Sequence, residues 1–162
     1  FRLRVPQAYG KKIKKGDAKD PLLLQVLPTL AEKELSGDID PVGDLDAMPS
    51  SGLLHKYHGR ALIISTAACA IHCRYCFRRH FPYQQQQAGR EQWAKAIEYI
   101  RNDSSITEVI LSGGDPLVLS DDKLAELISQ LEQVPHLKRL RIHTRLPVVL
   151  PERMTDSLIN LL

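Results

Sequence analysis

Short apolar runs alternate with amphipathic segments from residue 61 onward. Ala61–Ser65 and Val109–Leu111 are almost uniformly apolar, as is typical of strands buried on both faces, and Leu140–Thr144 is a weaker, alternating third run. Two segments between them place apolar residues at the i, i+3, i+4, i+7 spacing of a helix with one buried face. These residues are Trp93, Ala96, Ile97 and Ile100, then Leu124, Leu127, Ile128 and Leu131. The pattern predicts a β-α-β-α-β-α order and therefore parallel strands.

Polar residues indicate where helices begin. The first helix is expected to start near Gly89, while Ser120 and Thr155 are predicted to cap a second and a third. Upstream, Asp20 is predicted to cap a two-turn helix over residues 22–27. The rest of residues 1–55 lacks sustained periodicity, which predicts an extended arm packed on the domain that follows.

Three strand–helix units do not close a barrel of six or eight strands. Residues 56–162 are therefore predicted to form part of a barrel, or a small open sheet with an exposed edge. The chain opens at Phe1 without an initiator methionine and stops inside the apolar run Leu158–Leu162. We therefore expect a fragment of a longer protein.

Composition excludes several classes of function. The formal net charge of +3 gives no case for nucleic-acid binding, and no apolar run approaches the ~20 residues of a membrane span. The three cysteines are odd in number and clustered, which argues against a disulfide framework and favours a reducing compartment, the cytoplasm.

The cysteines Cys69, Cys73 and Cys76 form a CxxxCxxC motif. They lie in a predicted loop of roughly two dozen residues after the first strand, where the usual connection has about 2–6 residues and where parallel α/β folds place their active sites. Three thiolates can hold three irons of a four-iron cluster and leave the fourth open to a ligand. A zinc site completed by His72 or His80, and buried inert thiols, are the alternatives.

Three further segments carry candidate chemistry. The Ser112–Asp115 turn allows close approach of backbone to a ligand and offers a carboxylate, although Gly-Gly and Asp-Pro also form plain turns. Lys56–Arg60 sets two cations around a tyrosine ring, which suits a phosphate beside a flat heterocycle or simply a solvated basic edge. His143–Arg145 follows the third strand and should emerge on the same face as the cysteines, unless it is a surface loop.

Together these segments resemble the lysine 2,3-aminomutase family of radical S-adenosylmethionine enzymes, over nearly the whole chain. The resemblance implies an α/β fold of the partial (β/α)6 barrel type, of which residues 56–162 would be the first half and residues 1–55 an N-terminal arm. Gly52–Tyr57 and Phe77–Tyr83 look most like the branch that supplies (R)-β-lysine for modifying elongation factor P. Clostridial-type enzymes have an arginine at the position of His80, and this departure argues against a role in free-lysine catabolism.

The resemblance also implies an activity, cofactors and partners. The enzyme would move the α-amino group of L-lysine to the β-carbon with a [4Fe-4S] cluster, S-adenosylmethionine, pyridoxal phosphate and an external electron donor; a homo-oligomer is left open. By position, it implies cluster ligation by Cys69, Cys73 and Cys76, S-adenosylmethionine contacts from Ser112, Gly113, Gly114 and Asp115, pyridoxal phosphate contacts from Lys56, Tyr57 and Arg60, and a contact of Arg78 with the lysine carboxylate.

Some functional groups of the family are expected beyond residue 162. They are the lysine that holds pyridoxal phosphate and the acidic residues that bind the substrate's ε-ammonium, so the fragment alone is expected to be inactive. Lys123 and Lys138 follow helix-face and pre-strand patterns and are poor candidates for the cofactor lysine. The competing functions are a radical S-adenosylmethionine enzyme without pyridoxal phosphate and a zinc-binding interaction module.

Overall fold

The computed structural model describes residues 2–34, 37–83 and 89–162 and contains one sheet of four strands in chain order. The second, third and fourth strands are parallel, with Arg60 opposite Glu108 and Glu108 opposite Arg139. The three predicted parallel strands are therefore confirmed. The strands are β1 (Leu53–Tyr57), β2 (Arg60–Thr66), β3 (Glu108–Gly113) and β4 (Arg139–Ile142).

Strand β1 was not predicted from the sequence. It runs antiparallel to β2, with Leu53 opposite Ile63, and the hairpin turns at Gly59, whose φ is +77°. Only the first two residues of β1, Leu53 and Leu54, are buried, so this five-residue strand shows no alternation to recognise. The observed order of α-helices and strands is α-β-β-α-β-α-β-α-α, and β1 crosses the predicted boundary between residues 55 and 56.

Two long helices cover one face of the sheet and bury the predicted apolar stripes. In the first of them, Trp93, Ala96, Ile97 and Ile100 are all buried against the core. In the second, Leu124, Leu127 and Leu131 are buried and Ile128 is partly buried. The helices are α1 (Gln7–Gly10), α2 (Arg90–Asn102), α3 (Asp121–Glu132), α4 (Leu146–Val149) and α5 (Asp156–Leu161). Among the helices of the described ranges, none is long and apolar enough to cross a bilayer.

The predicted helix N-caps are confirmed in part. Thr155 accepts a hydrogen bond from Leu158 N (3.3 Å) and begins α5. Ser120 occupies the N-cap position of α3, but its hydroxyl makes no capping bond. Asp20 accepts from the backbone nitrogens of Leu22 and Leu23 (2.8 and 2.9 Å).

The prediction of a two-turn helix over residues 22–27 was wrong. Only Leu23–Gln25 is helical, as a single 3-10 turn. The segment between Asp20 and Pro28 is too short to offset the cost of nucleating an α-helix.

Candidate functional site

The three cysteines line one open cavity of about 980 Å³ that runs from the carboxyl ends of the parallel strands to Arg60 at the beginning of β2. The same cavity is lined by the Ser112–Asp115 turn after β3 and by residues 143–145 after β4. The structure therefore brings the cysteine loop together with the two other segments that the strand order placed on this face.

The glycine pair packs against the beginning of the cysteine loop. Gly114 N donates to Thr66 O (2.7 Å), and a Cβ on Gly114 would overlap the carbonyl group of Ala68. Gly113 has a φ of +105°, and a Cβ there would lie 2.7 Å from Thr66 O. Both positions therefore need glycine for the close approach of backbone to backbone, and they set where the cysteine loop leaves the sheet.

Asp115 ties the β3 turn to the β4 exit. Its carboxylate is 7% exposed and accepts from Leu117 N (3.1 Å), Thr144 Oγ1 (2.6 Å) and Arg145 N (2.8 Å). This carboxylate is thus held rigidly at the cavity wall by three donors from two loops.

Arg145 contacts a cysteine directly. Its Nη1 donates to Cys73 Sγ (2.6 Å), and its Nη2 donates to Gln25 Oε1 (2.8 Å). The guanidinium also lies 5.3 Å from the centre of the Tyr75 ring. One side chain from the β4 exit therefore joins the cysteine loop to the N-terminal segment.

Asp44 holds two of the predicted ligand-binding cations. Its buried carboxylate accepts from Arg78 Nε (2.8 Å) and Lys56 Nζ (3.1 Å). Arg78 Nη1 also donates to Ser112 Oγ (3.2 Å). Arg78, the predicted contact of the lysine carboxylate, is thus fixed between a loop of the arm and the turn after β3.

Glu108 organises a second cationic group at the start of β3. Its side chain is 5% exposed and pairs with Arg60, Arg139 (2.7 Å) and Arg141 (3.2 Å). Hydrogen bonds from these guanidinium groups, Arg139 first, lower the pKa of Glu108 to about 2. Close by, the ring of Tyr57 is 64% exposed and lines the same cavity as the cysteines.

The N-terminal residues hold the cysteine loop from outside. Arg4 Nη1 donates to Cys69 O (3.0 Å), and Arg4 O accepts from His72 N (2.9 Å). Glu32 accepts from Arg74 Nε (2.6 Å) and Arg79 Nη2 (2.8 Å), and its pKa is lowered to about 2, chiefly by Arg79. The N-terminal segment, which was predicted to be an arm, thus holds the cysteine loop in place.

Comparison with known families settles the class of the protein. The family model described as the radical SAM superfamily matches residues 63–161, which begin in β2 and include the cysteine loop. The chain belongs to the radical SAM superfamily. Membership implies a four-iron cluster and S-adenosylmethionine as cofactors.

Three similar curated proteins, each at least about twice as long, are named L-lysine 2,3-aminomutase. The chain is 50% identical to an L-lysine 2,3-aminomutase of Haemophilus influenzae over 100% of the chain and 48% of that protein. It is 47% identical to one of Escherichia coli (99% and 47%) and 39% identical to one of Clostridium subterminale (100% and 40%). The chain thus spans about half the length of the curated relatives it matches.

The three thiols of this radical SAM chain are a donor set of the kind that holds iron–sulfur clusters. Burial, then the charges of Asp115, Cys76 and Cys73, raise the pKa of Cys69 to about 12, so a thiolate at Cys69 needs a cationic partner. Among the described residues, no three His, Cys, Asp or Glu side chains converge as ligands of one metal ion. Sulfurs that each bind a different iron do not need to converge on one point.

Several site residues were missed in the sequence. They are the buried carboxylates Asp44 and Glu108, the loop-holding Glu32 and Gln25, and Tyr83, whose hydroxyl donates to Gly113 O (2.7 Å). Glu108 could have been noticed as a charge at the start of a buried strand. The others lie in loops or short 3-10 turns without periodicity, where a single sequence gives no signal of a long-range partner.

Proposed function

We propose that the protein containing this chain is an L-lysine 2,3-aminomutase. One observation carries the proposal: Tyr57 and Arg60, the candidate pyridoxal phosphate contacts, line the same cavity as the three cysteines. A radical generated at the cluster would therefore form beside the second cofactor. The shared name of the relatives supports this substrate and reaction.

Each cofactor would supply chemistry that side chains lack. When bound, the cluster with S-adenosylmethionine would supply radical chemistry for hydrogen abstraction at Cβ of lysine, and pyridoxal phosphate would supply a π-system for amino-group migration. Cys69, Cys73 and Cys76 would hold three irons, and the Ser112–Asp115 turn, with Gly113 and Gly114 at its centre, would position S-adenosylmethionine.

The remaining side chains would bind and orient. The exposed face of Tyr57 would stack on the pyridine ring, and Arg60, held by Glu108, would pair with the phosphate. Arg78, held by Asp44, would pair with the carboxylate of lysine, and Lys56 would lie beside the cofactor through the same Asp44. A cavity closed by the rest of the protein would exclude water from the radical.

The architecture and cellular role are also proposals. We infer that residues 1–55 form an arm over the first half of a partial barrel, which residues 56–162 provide. We infer further that the product serves elongation factor P in the cytoplasm, on the resemblance of Phe77–Tyr83 to that branch. Mass spectrometry of elongation factor P from cells lacking the gene should show loss of the β-lysyl modification, and an unchanged mass would contradict this role.

The activity is tested with the full-length protein under anaerobic conditions. It is reconstituted with iron, sulfide, S-adenosylmethionine, pyridoxal phosphate and an external reductant, and given isotopically labelled L-lysine. Chiral analysis should show labelled β-lysine, and omission of pyridoxal phosphate should abolish it. Cleavage of S-adenosylmethionine without β-lysine, in a protein that does not bind pyridoxal phosphate, would favour the other radical enzyme. A colourless protein with stoichiometric zinc would favour the interaction module.

A further inference from the structure

We propose that Arg145 tunes the reduction potential of the iron–sulfur cluster by donating a hydrogen bond to the ligand sulfur of Cys73. The proposal rests on the cluster that the superfamily implies and not on lysine or pyridoxal phosphate. Arg145 would act as a positioning and tuning residue, since it reaches the cluster only through a cysteine.

The contact is built by several parts of the chain. Arg145 Nη1 lies 2.6 Å from Cys73 Sγ, while Gln25 Oε1 accepts from Nη2 (2.8 Å). The Tyr75 ring lies against the guanidinium, 5.3 Å from its centre, and Asp115 Oδ2 accepts from the backbone nitrogen of Arg145 (2.8 Å). Three anchors, one each from the arm, the cysteine loop and the turn after β3, therefore fix the donor at the sulfur.

The sign of the effect follows from charge. Reduction adds one electron to the cluster and its sulfur ligands, so a cation and a hydrogen bond at a sulfur stabilise the reduced form more than the oxidised form. Because guanidinium does not lose its proton at any working pH, no proton accompanies the electron at this residue. Arg145 should thus make the cluster easier to reduce by an external one-electron donor.

The test is a redox titration of the full-length protein, followed by the electron paramagnetic resonance signal of the reduced cluster. Dithionite is the reductant, and L-lysine and pyridoxal phosphate are left out. Arg145→Gln should weaken the reduced state at least tenfold, which is a negative shift of about 59 mV for a one-electron couple. Arg145→Lys keeps the charge without the two-sided guanidinium geometry and should shift the potential less.

Two more variants make the result decisive. Gln25→Leu removes the anchor at Nη2 and leaves Cys73 untouched, so it should give a smaller negative shift even if Arg145→Gln fails to hold iron. Arg90→Gln removes a positive charge from an exposed side chain paired with Glu126 on α3, and it should leave the potential at the wild-type value.

The possible results distinguish the role of Arg145 from the assignment of the cluster and from the assignment of the aminomutase activity. Wild-type protein without iron and inorganic sulfide would overturn both the cluster and the role of Arg145. An intact cluster whose potential is the same in the wild type, Arg145→Lys and Gln25→Leu would overturn the role of Arg145 alone. A cluster with the expected shifts in a protein that makes no β-lysine would support Arg145 and contradict the aminomutase.

Discussion

At the scale of single residues, buried carboxylates decide where the cationic side chains of the cavity point. Asp44 holds Arg78 and Lys56, and Glu108 holds Arg60. A long cationic side chain loses much conformational entropy when a ligand fixes it. A carboxylate that fixes it beforehand leaves less of that cost to the binding step.

Replacing Asp44 tests this pre-organisation. Asp44→Asn should raise KM for L-lysine about tenfold or more, because Arg78 loses a charged hydrogen-bond partner worth about 1.5–3 kcal/mol, while the iron content stays the same. Steady-state kinetics with parallel iron analysis measure both quantities. Asp46→Asn, at an exposed position of the same loop, should leave KM unchanged. A KM for Asp44→Asn equal to that of the wild type would contradict the role given to this carboxylate.

The glycine pair makes a prediction about cluster assembly. In Gly114→Ala the new methyl group would overlap the Ala68 carbonyl, so the backbone that leads to Cys69 must move. We expect a destabilisation of about 1–3 kcal/mol, typical of overpacking, and loss of most cluster absorbance after reconstitution. Gly37→Ala is the matched control, since no atom lies within 4 Å of a Cβ at Gly37. Full cluster content in Gly114→Ala would show that this close approach is not needed.

At the scale of elements, strand β1 has a buried beginning and an exposed end. The exposed end carries Tyr57, the proposed contact of pyridoxal phosphate. The Tyr57 ring is 64% exposed at the end of the strand, whereas Leu53 and Leu54 at its beginning are buried. The residues that stabilise the core and the residue proposed to bind the cofactor are therefore separated along one short strand.

Tyr57 should accordingly matter for binding and not for folding. Tyr57→Ala should change the free energy of unfolding by less than about 0.5 kcal/mol, as is usual for exposed positions. It should weaken pyridoxal phosphate binding by about two- to tenfold through loss of ring stacking worth about 0.5–1.5 kcal/mol. Equilibrium binding of the cofactor and urea unfolding measure the two effects. Tyr57→Phe keeps the ring and should bind like the wild type; if Tyr57→Ala did so too, the stacking role would be refuted.

The sequence predicted the elements that have long periodicity and failed where function depends on single long-range contacts. The apolar residues from Trp93 to Ile100 recur over two helical turns, and a helix needs this spacing in order to pack one face on the sheet. Strand β1 has only two buried residues, so pairing with β2 decides its structure. Arg145 was placed on the correct face from strand order, but its bond to Cys73 depends on Gln25, a residue 120 positions away.

The amino-terminal edge of the parallel sheet should respond to acid through Glu108. Its pKa, about 2 in the folded protein and ordinarily about 4.5, is lowered chiefly by Arg139. A lowered pKa stabilises the fold fully above pH 4.5, and this contribution is lost as the pH falls toward 2. The urea midpoint of Glu108→Gln should therefore lie below that of the wild type at pH 6, with a smaller gap at pH 3, both proteins being metal-free.

A matched change elsewhere separates this response from general acid denaturation. Glu98→Gln, on the exposed face of α2, should leave the urea midpoint of the wild type unchanged at both pH values. An equal gap between Glu108→Gln and the wild type at pH 6 and pH 3 would show that the three guanidinium groups do not set the acid response.

At the scale of the whole molecule, the cavity lies where three parts of the chain meet. The sheet supplies the strand ends, the cysteine loop covers them, and the N-terminal segment holds that loop through Arg4, Gln25 and Glu32. Contacts of such long sequence separation form only when the distant segments are all in place. Cluster assembly should thus depend on residues far from the cysteines.

The same view predicts where pyridoxal phosphate is attached. Among the described residues that line the cavity, the one lysine is Lys56, and its ammonium is already paired with Asp44. A lysine nitrogen that is engaged by a carboxylate is poorly placed to attack the aldehyde of the cofactor. Borohydride reduction of the cofactor-loaded full-length protein, followed by peptide mapping, should place the label on a lysine outside residues 1–162. Label on Lys56 would contradict this prediction and would mean that the ion pair with Asp44 exists only in the cofactor-free protein. Label on Lys123 or Lys138 would mean that the cavity is not the cofactor site.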